Sequence, residues 1–349
     1  MSRIAAVAPV LPPFSYTQQE ITTELTPLIS NGTAHQAVLE RTHAATGIAT
    51  RHTALPLERY RNLGTFRETN ETFIRVATEL LAEALTTALA EAGVAASDVD
   101  FVVFTSVTGI SAPSIDALLI PIVGLRPDVK RLPSYGLGCV GGAAGIARVH
   151  DYLEGHPGEV GVLLSVELCS LTLQRDDESM ANFVATGLFG DGAAAVVMLG
   201  DLHPLATGPR VVDTLSSTYP DTTGVIGFNV GGTGFEIVLT AEVATVIAQN
   251  FPTDAAAFLA RNQLTIGDIT TWLAHPGGPK ILEAFESALG LDRAHLQPSW
   301  DVLARVGNLS SAAVLHVLAA AEPVEAGSRG LLFALGPGVS AEFVLLEWS

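Results

Sequence analysis

Cysteine is the most nucleophilic of the common side chains, and only two occur among 349 residues. Cys139 stands in Tyr135-Gly136-Leu137-Gly138-Cys139-Val140-Gly141-Gly142-Ala143-Ala144-Gly145. An apolar, strand-like stretch breaks at glycine, presents one thiol and resumes as a helix of small residues. The sulfur is therefore expected at a helix N-terminus, where backbone N–H groups favour a thiolate. Nothing in the chain reads as a secretory signature, so neither cysteine has to be spent on a disulfide. Cys139 is read first as a nucleophile, although a lone cysteine in an apolar run is as often inert packing.

Sulfur that attacks an acyl group needs a base or cationic partner and a donor for the oxyanion formed on attack. Trp272-Leu273-Ala274-His275-Pro276-Gly277-Gly278-Pro279-Lys280-Ile281-Leu282 supplies the first, a histidine at the end of an apolar strand before a glycine-proline turn. Val306-Gly307-Asn308-Leu309-Ser310-Ser311-Ala312-Ala313 supplies the second, a loop asparagine ahead of a helix of small residues. Alone, His275 is as well explained as a structural histidine and Asn308 by ordinary turn chemistry. Together the three residues point to acyl transfer through a covalent thioester.

The elements that carry them alternate. Helical patterns such as Asn70 to Ala92 are followed by apolar strands such as Phe101 to Ser106, the signature of parallel sheets covered on both faces by helices. A weak internal repeat reinforces this. Leu89-Ala90-Glu91-Ala92-Gly93 followed by Asp98 to Thr105 parallels Leu259-Ala260-Arg261-Asn262-Gln263 followed by Asp268 to His275. The same offset carries Cys139 to the neighbourhood of Asn308 and the strand Gly161 to Ser165 to Gly330 to Ala334. Two equivalent halves are expected, 1–205 with the cysteine and 206–349 with the histidine and asparagine, meeting at one cleft.

Composition agrees with a large, well-cored globular protein: 48% apolar and 15% charged residues. At this length a single core is exceeded. The formal charge of -18 argues against nucleic acid as a partner. No long apolar run reads as a membrane span. The apolar start from Ile4 to Leu11 is interrupted by proline and is expected to be a first strand rather than a signal peptide. A cytoplasmic protein is the expectation. No Cys/His cluster has metal-ligand spacing, so no metal is expected.

These segments resemble the type III polyketide synthases, the chalcone and stilbene synthase family of the thiolase superfamily. The resemblance runs through nearly the whole chain. It is carried by Gly138-Cys139, Gly187-Leu188-Phe189-Gly190-Asp191-Gly192-Ala193-Ala194-Ala195, His275-Pro276-Gly277-Gly278-Pro279-Lys280-Ile281-Leu282, Gly307-Asn308-Leu309-Ser310-Ser311-Ala312 and Gly336-Pro337-Gly338. It implies a thiolase-like, five-layered αβαβα fold of two pseudo-repeated halves, and a homodimer. It further implies an acyl-CoA starter loaded on Cys139 and malonyl-CoA decarboxylated between His275 and Asn308, without a cofactor beyond these CoA thioesters.

The same resemblance assigns a cavity wall. Phe189 matches an aromatic at the entrance that orients the malonyl group, and Phe235 matches a second gatekeeper. Glu167, Cys169 and Thr172 lie in the matching cavity segment, with Gly227, Ser310 and Pro337 as further lining candidates. Arg41 matches a CoA-binding basic residue, while Val38 and Ala45 replace others; Arg51 and Arg61 are alternatives. Val107 stands where naphthalene-forming bacterial relatives carry a second cysteine, and Ala334-Leu335 replaces a glycine-phenylalanine pair. These departures favour an aliphatic starter and an alkylpyrone or alkylresorcinol product. Two rival readings are a ketoacyl synthase making one condensation and a cysteine hydrolase.

Overall fold

The computed structural model of the chain describes residues 1–321 and 325–348. Its N-terminal strands are β1 (Ser2–Val10), β2 (Phe14–Thr17), β3 (Thr50–Thr53), β4 (Phe101–Ser106), β5 (Lys130–Tyr135), β6 (Val160–Leu168) and β7 (Asp191–Gly200). The remainder are β8 (Arg210–Thr218), β9 (Ile226–Gly231), β10 (Gly234–Leu239), β11 (Thr271–Ala274), β12 (Arg329–Gly336) and β13 (Ser340–Glu347). Nine of these form a single sheet in the order β11-β12-β13-β8-β1-β7-β6-β4-β5. The two halves of that sheet touch only through the short β1–β8 pairing at Ser2 and Arg3.

Alternation explains the layers. Along β7, Ala193, Ala195, Val197 and Leu199 belong to the core under helix Phe66–Ala92, whereas Ala194, Val196 and Met198 face the opposite way. Successive strand side chains point to opposite faces, so a strand apolar throughout must be covered on both. The second core joins residues of both sheet halves, including Leu163, Met198, Leu273, Leu332 and Val344. Between them lie helices Gly141–Gly155 and Ala313–Ala319, so these helices form the middle layer. A third core packs β11, β12 and β13 under helices Val243–Arg261 and Pro279–Leu289. The stack is helix, sheet, helix, sheet, helix.

The halves repeat one another topologically. Helix Phe66–Ala92, a short 3₁₀ turn and β4 recur as helix Val243–Arg261, a second 3₁₀ turn and β11. The turn at Gly138–Val140 with helix Gly141–Gly155 recurs as the turn at Ser310–Ala312 with helix Ala313–Ala319. The cysteine and asparagine segments therefore each lead through a short turn into a helix of the middle layer. The N-terminal apolar run is β1. No helix among the described residues is long and apolar enough to cross a membrane.

Candidate active site

Cys139 lies in the turn between β5 and helix Gly141–Gly155, at that helix's N-terminal end. Glycine is needed here because the two middle-layer segments nearly touch. A Cβ on Gly142 would lie 2.3 Å from the Ser311 carbonyl oxygen. His275 follows β11 and is held by its backbone N–H, which donates to the Phe333 carbonyl at 2.9 Å. Asn308 follows Gly307, whose φ of +74° turns the chain sharply after helix Gln297–Val306.

Three links bring these residues together. The Gly277 N–H donates to the His275 carbonyl at 2.9 Å. Asn308 Nδ2 donates to the Gly277 carbonyl at 3.3 Å, and the Ser310 hydroxyl accepts from the Cys139 thiol at 3.7 Å. Asn308 Oδ1 accepts from the Ser310 N–H at 2.8 Å. The Asn308 backbone is in turn stitched to the turn that carries Phe189, donating to Leu188 O at 2.9 Å and accepting from Gly190 N at 3.0 Å. Cys139, Asn308, the His275 segment and the Phe189 turn are therefore joined in one chain of contacts.

Burial sets the protonation states. It pushes the Cys139 thiol up to about 12, against the opposing hydrogen bonds from Ser310 and Asn308. It pulls the His275 imidazole down to about 3. Burial therefore favours the neutral thiol at Cys139 and the neutral imidazole at His275, against the thiolate that the helix N-terminus favours. Desolvation outweighs a terminal dipole when the sulfur is this enclosed. Both ring nitrogens of His275 are buried and have no hydrogen-bond partner. Buried polar atoms are almost always paired, so two orphans on one ring mark a site made for a group that arrives from outside.

A pocket of about 900 Å³, counted to its open mouth, adjoins this centre. Cys139, Phe189, Cys169, Thr172, Gly227, Ser310 and Pro337 line it. His275 and Asn308 lie deeper, each 2% exposed. Burial raises the Cys169 thiol well above its usual range too.

Two residues expected on the wall are placed elsewhere. Glu167 is fully buried behind it, accepting at Oε2 from the Val107 N–H at 3.1 Å and the Thr108 hydroxyl at 2.8 Å, and at Oε1 from the Ser311 hydroxyl. A carboxyl in an apolar layer must collect donors, and these come from the segment just after β4 and from the Ser310–Ala312 turn. Phe235 is also buried, its ring meeting Phe66 edge-on at 5.2 Å and Phe228 at 6.3 Å. On that hairpin Phe228 and Ile237, directly paired, reach the pocket together with Ile226 and Gly227.

The CoA candidates separate as well. Arg41 is exposed on helix Thr33–Ala44. Arg51 is 3% exposed and spent internally, donating to Gln18 Oε1 at 2.9 Å and to the Phe189 carbonyl at 2.6 Å. Arg61 pairs with Glu24 at 2.6 Å. Sequence reasoning also missed Ile21, Leu25, Thr108, Gln174 and Asn182 as wall residues. They come from a helix, a strand end and a loop remote in sequence, and no local pattern distinguishes them from core.

Both halves match known domains. Residues 4–202 match the N-terminal domain of chalcone and stilbene synthases, and residues 211–348 match their C-terminal domain. The chain is 50% identical to a 1,3,6,8-tetrahydroxynaphthalene synthase of Streptomyces peucetius subsp. caesius, over 99% of this chain and 93% of the relative. A protein of the same name from Streptomyces coelicolor is 32% identical over 87% of this chain and 81% of its own length. The crystal structure of a Streptomyces coelicolor tetrahydroxynaphthalene synthase, a bacterial type III polyketide synthase, superposes with a TM-score of 0.94 at 28% identity, covering 99% of both chains. The chain belongs to the chalcone and stilbene synthase family. It is a type III polyketide synthase, an acyltransferase built on the thiolase-like fold.

Proposed function

We propose that Cys139, His275 and Asn308 carry out decarboxylative condensation of malonyl-CoA onto an acyl group held on Cys139. The observation that carries this reading is the buried His275 ring with both nitrogens unpaired, linked through Gly277, Asn308 and Ser310 to Cys139. His275 takes the thiol proton as the sulfur attacks the starter thioester. The carbon–sulfur bond to CoA breaks and CoA leaves with the proton. Malonyl-CoA then sets its thioester carbonyl against the donors of His275 and Asn308. Loss of carbon dioxide leaves an electron pair in the enolate those donors stabilise. The enolate carbon attacks the acyl group and Cys139 departs as thiolate. Only side chains and CoA thioesters enter this scheme, and Arg41 is proposed to meet the CoA phosphates from the surface.

For the product, a polyhydroxynaphthalene assembled from malonyl units comes first, because the relative at 50% identity bears that name. An alkylpyrone or alkylresorcinol from an aliphatic starter is the second reading. It is favoured by Val107, which offers no thiol beside Thr108 on the wall, and by the apolar Ile21, Leu25, Ile226 and Ile237. A homodimer in the cytoplasm is proposed alongside. Edge strand β5 pairs only with β4 and exposes Leu132 and Tyr135, 43% and 51% accessible, near exposed Ile110; sedimentation tests it.

The deciding experiment incubates the purified protein with radiolabelled malonyl-CoA, alone and with short, long and aromatic acyl-CoA starters, and identifies products by mass. An aromatic product from malonyl-CoA alone supports the first reading, and a pyrone or resorcinol made only with a long starter supports the second. Release of a single ketoacyl product, or hydrolysis without carbon dioxide, overturns both.

A further inference from the structure

Four non-glycine residues among those described have positive φ: Asp176, Asp221, Gln263 and Ser310. The first three are exposed, and Ser310, at φ +47°, is 3% exposed. A side chain with a Cβ avoids this conformation unless the surroundings impose it, and such positions gather at functional sites. Here the surroundings are Asn308, whose Oδ1 holds the Ser310 N–H at 2.8 Å. The left-handed turn aims the hydroxyl at the nucleophile. Ser310 Oγ lies 3.7 Å from Cys139 Sγ, its only hydrogen-bond partner among the described residues.

A hydroxyl has one proton to give and can accept two. With the thiol neutral, Cys139 donates to Ser310 and the serine's own proton is uncommitted. We propose, resting on the assignment of Cys139 as nucleophile, that Ser310 is a thiolate-stabilising group that accepts from the S–H at rest and turns to donate to the sulfur once the proton has left. Asn308 positions this group, its Oδ1 fixing the backbone that holds the hydroxyl against the sulfur.

The test is alkylation of Cys139 by iodoacetamide as a function of pH, read as the labelled Cys139 peptide by mass spectrometry so that Cys169 does not contribute. The sulfur–carbon bond forms, iodide leaves and the thiol proton goes to solvent, so no turnover is needed. Ser310→Ala removes the hydroxyl and keeps the strained Cβ; Ser310→Gly removes the hydroxyl and fits φ +47° without strain. Both variants are expected to move the profile up by about one pH unit, an alkylation rate at pH 8 about tenfold lower. An unmoved profile in Ser310→Gly overturns the proposal whether or not Ser310→Ala folds, and a shift confined to Ser310→Ala overturns it in favour of backbone placement. A shifted profile in an enzyme that fails to condense malonyl units counts against the proposed function and leaves the role of Ser310 intact.

Discussion

Asn308 Nδ2 lies 3.3 Å from the carbonyl oxygen of Gly277. That bond fixes the side-chain amide and leaves its second N–H proton for an incoming group. The asparagine thus stands between the segment that ends in His275 and the turn that presents the thiol. Replacing Asn308 by Ala removes a donor needed for enolate formation as well as for condensation. Both malonyl-CoA decarboxylation and product formation are expected to fall by about 10²-fold or more. Decarboxylation at the wild-type rate in the variant contradicts the role given to this side chain.

Cys139→Ala separates the two half-reactions. The covalent step is lost, so product is expected to fall at least about 10³-fold. His275 and Asn308 remain to stabilise the enolate, so carbon dioxide release from malonyl-CoA persists. Parallel assays of labelled carbon dioxide and of product check this. Condensation surviving in the variant refutes the nucleophile assignment.

Gly307 is fixed by geometry. At φ +74°, an added Cβ would lie 2.7 Å from the Leu188 carbonyl oxygen and 3.0 Å from Arg51 Cδ. Gly307→Ala is expected to cost about 1–3 kcal/mol of stability and to displace Asn308 from its bonds to Leu188 and Gly190. Thermal melting and the decarboxylation assay should fall together, whereas unaltered melting argues against the crowding.

Glu167 is predicted to matter through satisfaction of its neighbours. Glu167→Ala takes the acceptor from the Val107 N–H and from the hydroxyls of Ser106 and Thr108, leaves Ser311 only its bond to Ser165, and is expected to destabilise by roughly 2–4 kcal/mol. Glu167→Gln keeps one acceptor and should lose less. Denaturant midpoints of the two variants rank them, and the reverse order is the contrary result.

Acid stability follows from buried imidazoles. Burial, the largest cause in each case, holds His43 and His275 at about 3 and His316 at about 4, against an ordinary 6.5. The unfolded chain therefore binds protons that the folded chain refuses, and stability is lost as pH falls from 6.5 through about 4. Each group contributes a slope of about 1.4 kcal/mol per pH unit within its window. Asp191 acts oppositely. Burial raises it to about 6 from 3.8, so the folded state gains a proton first and this contribution improves as pH falls through 6. Burial lowers His150 too and raises Glu167 and Glu342 as it does Asp191, so four imidazoles oppose three carboxyls; with the largest displacements on the imidazoles, the melting temperature is expected to drop between pH 6.5 and 4.5. His316→Gln should make that drop shallower; an unchanged slope contradicts it.

The chemistry was legible where residue type alone restricts it. A thiol between glycines before a helix of small residues, a histidine closing an apolar strand and an asparagine after glycine each announce a backbone that presents a side chain. The repeated helix, turn and strand pattern announced two halves. The β11 strand and its histidine, or the apolar runs that became β4, β6 and β7, owe their placement to local periodicity and to the need to cover both sheet faces.

What sequence by itself determined is thus the layered architecture, and it singled out the three residues on which the proposed chemistry rests. Tertiary structure decided their state and surroundings. That Cys139 and His275 rest neutral depends on desolvation, which is a property of packing from every direction and has no local sign. That Glu167 turns to the β4 end, Phe235 into an aromatic cluster and Arg51 inward to the Phe189 carbonyl depends on which donors, rings and carbonyls arrive from segments far along the chain. Alternation specifies the face on which a side chain emerges, and only the assembled neighbours determine whether that face is cavity or core.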